Sequence, residues 1–216
     1  MQVLPVVPSP RAGGHPQAAP PQVAVLALQG DFAAHAAALA AHGLSAVEVR
    51  TAAQLGARRP AALVLPGGES TTMLRLMEGT GLQEAITAWV AAGVPVLATC
   101  AGVILLARQV RNPAQPSLGL LDVTVERNSY GRQLASAVVP LRTAPGCGLE
   151  EPCLEGVFIR APRIVQVGDG VEVLAWRGAD PVLVRQQNLL AATFHPELSP
   201  RSPVTALFAR MVQEGL

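Results

Sequence analysis

Three side chains in this sequence suit nucleophilic catalysis, and each stands where the pattern of residues changes: Cys100, His195 and Glu197. The apolar run ending in Leu97-Ala98-Thr99 leads to Cys100; Ala101-Gly102 follows, and a second apolar run begins at Val103. That pattern predicts a buried strand, a sharp turn carrying the cysteine, and a buried helix. A thiol at a helix N-terminus meets unpaired backbone N–H groups and the positive end of the macrodipole, a setting that suits a thiolate nucleophile. Ala101 and Gly102 fit the tight turn of a nucleophile elbow and let a substrate approach the backbone. A buried structural cysteine, packed as a small hydrophobe, explains the same stretch. Near the C-terminus stands Phe194-His195-Pro196-Glu197. In an extended segment residues i and i+2 share a face, so Glu197 is expected to accept from one ring nitrogen of His195 and fix its tautomer. Cysteine, histidine and glutamate at strand ends then match nucleophile, base and orienter.

A second candidate is Pro66-Gly67-Gly68-Glu69-Ser70-Thr71-Thr72, which follows an apolar run. Two glycines after a strand and hydroxyls before a helix describe a loop with exposed N–H groups, suited to an anion or oxyanion. A plain strand–helix turn reads the same way. It is not a phosphate-binding P-loop, because the Gly-Lys-Ser/Thr ending is missing. His35 and His42 lie seven apart on an expected helix, without cysteine or carboxylate neighbours at ligand spacing. They are expected at the surface or in packing, and no metal is expected.

The elements that must position these groups alternate in the first half. Strands are expected over residues 23–28, 47–49, 61–65 and 94–98. Helices are expected over 32–42, with Asp31 as N-cap, and over 72–77 and 82–92. This alternation predicts a parallel sheet covered on both faces, whose ligands bind beyond the carboxyl ends of the strands. From about Leu121 the texture becomes β-rich, with short segments at 123–125, 137–141, 157–159, 164–167, 171–175, 182–184 and 189–194, and a closing amphipathic helix at 203–213. Residues 1–21 carry six prolines and no signal-peptide pattern, so a disordered leader is expected there, followed by one domain over 22–216.

Composition excludes several classes. A net charge of +1 gives no electrostatic footprint for nucleic acid or a membrane surface. Residues 85–107 carry no charge, but Gly93-Val94-Pro95 breaks the run, and no membrane span is expected. Three cysteines without a paired framework point to a reducing, cytoplasmic setting. All sixteen basic residues are arginine, so Schiff-base chemistry on lysine cannot occur on this chain.

Six segments, in order, resemble one family. They are Leu26-Ala27-Leu28-Gln29-Gly30-Asp31-Phe32, Leu65-Pro66-Gly67-Gly68-Glu69-Ser70-Thr71-Thr72-Met73 and Thr99-Cys100-Ala101-Gly102. Val125-Glu126-Arg127-Asn128-Ser129-Tyr130-Gly131-Arg132-Gln133, Val157-Phe158-Ile159-Arg160-Ala161-Pro162 and Phe194-His195-Pro196-Glu197-Leu198 complete the set. The chain thereby resembles the glutaminase subunit of pyridoxal 5′-phosphate synthase, a class I (triad) glutamine amidotransferase. The resemblance implies an α/β, three-layer, flavodoxin-like fold: a central, mostly parallel sheet flanked by helices, with a β-rich C-terminal half. It implies hydrolysis of L-glutamine by Cys100 as nucleophile, His195 as general base and acid, and Glu197 as orienter. The N–H groups of Gly68 and Ala101 would form the oxyanion hole, and Gly68, Glu69, Ser70, Arg127, Ile159 and Arg160 the glutamine pocket. Gln29 would couple partner docking to the oxyanion site. The implied partner is a synthase subunit that builds pyridoxal 5′-phosphate from the ammonia and two sugar phosphates; no cofactor is implied. A glutaminase serving another synthase, such as imidazole glycerol phosphate synthase, or a non-catalytic scaffold on the same fold, are the alternatives. Departures from the family pattern fall at Ser199-Pro200-Arg201-Ser202-Pro203, at Ser136-Ala137, and in the 144–155 loop with Cys147 and Cys153.

Overall fold

Apolar runs of four or five residues bounded by turns make the centre of the molecule. In chain order the elements are β1 (Gln22–Leu26), α1 (Phe32–Ala40), β2 (Ser45–Val49), α2 (Ala52–Arg58), β3 (Ala62–Leu65), α3 (Ser70–Met77), α4 (Leu82–Ala91) and β4 (Val96–Thr99). Then come α5 (Ala101–Leu106), β5 (Ala107–Arg111), β6 (Leu121–Glu126), β7 (Ser136–Thr143), β8 (Leu154–Ile159) and β9 (Arg163–Val167). β10 (Glu172–Arg177), β11 (Asp180–Gln186), β12 (Leu189–Ala192), a 3₁₀ turn (Pro196–Leu198) and α6 (Pro203–Glu214) complete the chain. The computed structural model describes residues 19–127, 136–149, 154–199 and 201–215. The expected leader up to residue 18, residues 128–133 of one motif, Cys153 and Pro200 lie outside them.

A nine-stranded sheet runs β2-β1-β3-β4-β12-β11-β10-β7-β8, and a three-stranded sheet runs β5-β6-β9. The large sheet is parallel from β2 to β12 and antiparallel from β12 to β8. The β-rich C-terminal half therefore extends the parallel sheet for the most part, instead of standing apart from it. β3, β4 and β12 are buried at every position, as strands covered on both faces must be. Alternate residues feed two cores. Leu63, Leu65 and Ala98 pack with α2 to α5 through Leu55, Met73, Ile86 and Val103. Val64, Leu97 and Phe194 pack with α1 and α6 through Leu39, Leu207 and Phe208. The result is three layers, helix on sheet on helix.

Besides the 3₁₀ turn, one helix and one strand were not expected from the sequence. α2 buries only Leu55 and so shows no apolar stripe; its N-cap Thr51, which accepts from the Gln54 N–H at 3.2 Å, is its clearest signal. β5 follows α5 without a Gly or Pro between them, so nothing in the chain marks the change of period. The uncharged 85–107 stretch divides into α4, β4 and α5, and no helix among the described residues is long and apolar enough to cross a membrane.

Candidate active site

The sheet sets the reactive groups side by side. β4 and β12 are parallel neighbours with Thr99 opposite Ala192, and the Cys100 N–H donates to the Ala192 carbonyl at 2.9 Å. Cys100 turns the chain at φ 48°, ψ −104°, a conformation costing a non-glycine residue about 1–3 kcal/mol. α5 sustains it: all six of its residues are buried. A Cβ on Gly102 would lie 2.1 Å from the Leu65 carbonyl oxygen, so only glycine lets α5 sit against the end of β3. Ala101, wholly buried, is the first residue of α5, which places its N–H at the open end of the helix.

His195 stands three residues beyond β12. Its N–H donates to the Val157 carbonyl at 2.8 Å, and the ring of Phe194 packs on that of Phe158 with centroids 5.5 Å apart. The segment after it is not extended as expected. Pro196 to Leu198 form a 3₁₀ turn with proline at its start, and the turn, not strand alternation, brings Glu197 round to His195. Nδ1 of His195 lies 2.7 Å from Oε1 of Glu197. Burial disfavours charge on His195, but hydrogen bonds to Cys100 and Glu197, together with their negative charge, outweigh it and raise the imidazole from 6.5 to about 10. The imidazole is thus bonded to the carboxylate, and the Cys100 sulfur lines the same cavity as both.

The opposite wall is made of side chains. The Gln29 side-chain oxygen accepts from the Glu69 N–H at 2.5 Å and fixes the glycine loop. The Glu69 carboxylate caps α3, accepting from the N–H groups of Thr71 (3.0 Å) and Thr72 (2.7 Å), and pairs with Arg127 at 3.0 Å. Partial burial opposes its charge, yet bonds from Thr72 and Thr71 bring its carboxyl down to about 2. Because this cap begins α3 at Ser70, the helix starts two residues earlier than expected. Arg127 also donates to the Thr71 hydroxyl at 3.1 Å. Between the walls, a Cβ on Gly67 would lie 2.5 Å from Cε1 of His195; this glycine lets the loop close over the imidazole.

Of the residues expected to act on, bind or respond to glutamine, all but Ala101 (Gln29, Gly68, Glu69, Ser70, Cys100, Arg127, Ile159, Arg160, His195 and Glu197) line one cavity of about 530 Å³, within the range that holds small-molecule ligands. The carbonyl of Ile159 sits 3.9 Å from the Cys100 sulfur, and Arg160 enters the wall with φ 46°. The sequence reading missed two groups. His35, expected at the surface or in packing, is buried with Nε2 3.4 Å from Oε1 of Glu197. Burial lowers its proton affinity more than the nearby Glu197 raises it. The available signal was its three- and four-residue spacing to the buried Ala38 and Leu39 on α1. Gln115, whose side-chain oxygen accepts from Ser70 at 3.1 Å, left no signal in an otherwise loop-like stretch.

The model of the SNO glutamine amidotransferase family matches residues 25–214. The pyridoxal 5′-phosphate synthase subunit PdxT of Koribacter versatilis is 50% identical over 194 residues, covering 90% of this chain and 97% of that protein. The subunit of the same name from Thermotoga maritima is 45% identical over 192 residues, covering 89% of this chain and all of that protein. A solved structure described as a glutamine amidotransferase superimposes with a TM-score of 0.79 at 42% identity, over 88% of this chain and 98% of that one. PurLQS from Thermotoga maritima shares the fold, with a TM-score of 0.61 at 17% identity over 91% and 97% of the two chains.

Proposed function

The chain belongs to the SNO glutamine amidotransferase family, and on that premise we propose that it is the glutamine-hydrolysing subunit of a pyridoxal 5′-phosphate synthase, acting through Cys100, His195 and Glu197. The observation that carries this reading is the convergence of the Cys100 sulfur with the bonded His195–Glu197 pair on the wall of a cavity sized for a small substrate.

The Cys100 thiolate attacks the side-chain carbonyl carbon of glutamine, and the carbonyl electrons move to oxygen. N–H groups of Gly68 and Ala101 receive that oxyanion; one such donor is worth about 3–4 kcal/mol in acyl transfer. His195, holding the proton, gives it to the amide nitrogen as the C–N bond breaks, and ammonia leaves a glutamyl thioester. Neutral His195 then takes a proton from water. The hydroxide adds to the thioester, the thiolate departs, and glutamate is released. Glu197 keeps Nδ1–H of His195 oriented through both steps. Arg127 and Arg160 supply the charge that an α-carboxylate requires, and Glu69 and Ser70 the polar edge of the pocket.

Ammonia passes to a separate synthase polypeptide, because this chain has no lysine amine for imine chemistry with sugar phosphates. Gln29, bonded to the Glu69 N–H, transmits docking to the oxyanion loop. Unpaired cysteine usage fits the cytoplasm. The test is ammonia release from glutamine with and without the synthase subunit. Expected is strong stimulation by the synthase and loss of activity in Cys100→Ala; full activity of the chain alone, or retention in Cys100→Ala, overturns the reading.

A further inference from the structure

The carboxylate that orients His195 is held in an unbalanced way. Glu197 is buried; its Oε1 faces Nδ1 of His195 at 2.7 Å, whereas its Oε2 has no hydrogen-bond partner among the described residues. The other group at Oε1 is Nε2 of His35, 3.4 Å away, and the same nitrogen hydrogen-bonds the hydroxyl of Thr99 at 3.4 Å. We infer that His35 is a positioning residue for the amide-cleaving reaction: a neutral imidazole whose Nε2–H, shared between Thr99 Oγ1 and Glu197 Oε1, fixes the carboxylate that aligns His195. The inference rests on the glutaminase reading given above.

Three observations carry it. A carboxylate oxygen only accepts, so the nitrogen facing it must bear the proton; the other tautomer would set a ring lone pair against negative charge. The charged groups facing His35 are Glu197, His195 and Asp31, and burial outweighs the two carboxylates, keeping the ring neutral. A neutral donor orients Glu197 without cancelling the charge that His195 needs, which a second imidazolium would do. Finally, topology links the parts. α1 packs on the 3₁₀ turn bearing Glu197, and Thr99 immediately precedes the nucleophile. His35 does not line the cavity, so it acts on glutamine only through Glu197.

The test combines ring spectroscopy with kinetics. Long-range ¹H–¹⁵N correlation at neutral pH is expected to show His35 as the neutral Nε2–H tautomer, a reading that needs neither a variant nor activity. With the synthase present, His35→Leu is expected to lower kcat roughly tenfold while leaving KM unchanged, the scale of one hydrogen bond to a charged group. His35→Gln, whose side-chain N–H falls near the place of Nε2, should recover most of the loss while both variants melt cooperatively. An Nδ1–H tautomer or an imidazolium at His35, a His35→Leu enzyme with wild-type kcat, or a folded His35→Gln as slow as His35→Leu overturns the inference. A wild-type complex that releases no ammonia overturns the glutaminase reading instead, and the tautomer measurement still decides the position of the His35 proton.

Discussion

One wall of the cleft, bearing Cys100, His195 and Glu197, is set by backbone: the first follows β4, the second follows β12, and a 3₁₀ turn carries the third. The facing wall of Glu69, Ser70 and Arg127 is set by side chains that hold one another across loops. Exposure follows the same division. The Glu197 side chain is 3% exposed and that of Glu69 is 48% exposed. The buried groups of the first wall follow strands locked by neighbouring strands, and the charged groups of the facing wall sit where water reaches.

The largest expected effect breaks the first wall outright. Cys100→Ala should reduce glutamine hydrolysis by the synthase-bound chain on the order of 10⁴-fold or more, with cooperative melting retained; residual activity within tenfold of wild type would erase the distinction between the walls. Phe194→Ala removes the ring packed on Phe158 beside His195. It should cost about 3–5 kcal/mol in urea unfolding, and a cost under about 1 kcal/mol would mean that the His195–Val157 backbone bond alone holds the segment. Arg127→Ala tests the second wall. KM for glutamine should rise roughly 10- to 100-fold with kcat little changed, whereas a fall confined to kcat would move Arg127 into the reaction.

The smallest effects are in pH, where the walls should respond in opposite windows. His195 is raised in the folded state from 6.5 to about 10, so its contribution to stability is complete below about 6.5 and is lost as pH rises through about 10. Denaturation midpoints should fall across that range, and less so in Cys100→Ala. Glu69 is lowered from 4.5 to about 2. Its contribution is present above about 4.5 and lost as pH falls through about 2, and half-exposure to solvent keeps it small. Glu69→Gln should flatten only the acid limb of the stability curve.

Legibility in the sequence follows the same line between backbone and side chain. The parallel strands were readable as short apolar runs, and the cysteine elbow by its small residues flanked by two such runs. What escaped depended on packing between distant segments. α2 has one buried residue and no stripe to detect. β5 continues from α5 with no breaker between them. The contact of Glu197 with His195 was anticipated, but its 3₁₀ geometry was not, because Pro196 is compatible with an extended chain as well as with the start of a turn. His35 sits among alanines on α1, and only the fold of the 3₁₀ turn against that helix gives it Glu197 as a neighbour.

β12 lies between β4 and β11, and its last residue supplies the carbonyl that receives the Cys100 N–H. A ribosome must therefore translate through Ala192 before the central slot of the sheet can fill, long after the thiol has emerged. Until that late insertion, the nascent chain carries Cys100 without the His195 imidazole beside it. The order of synthesis thus keeps this sulfur and the His195 imidazole apart until almost the entire domain exists.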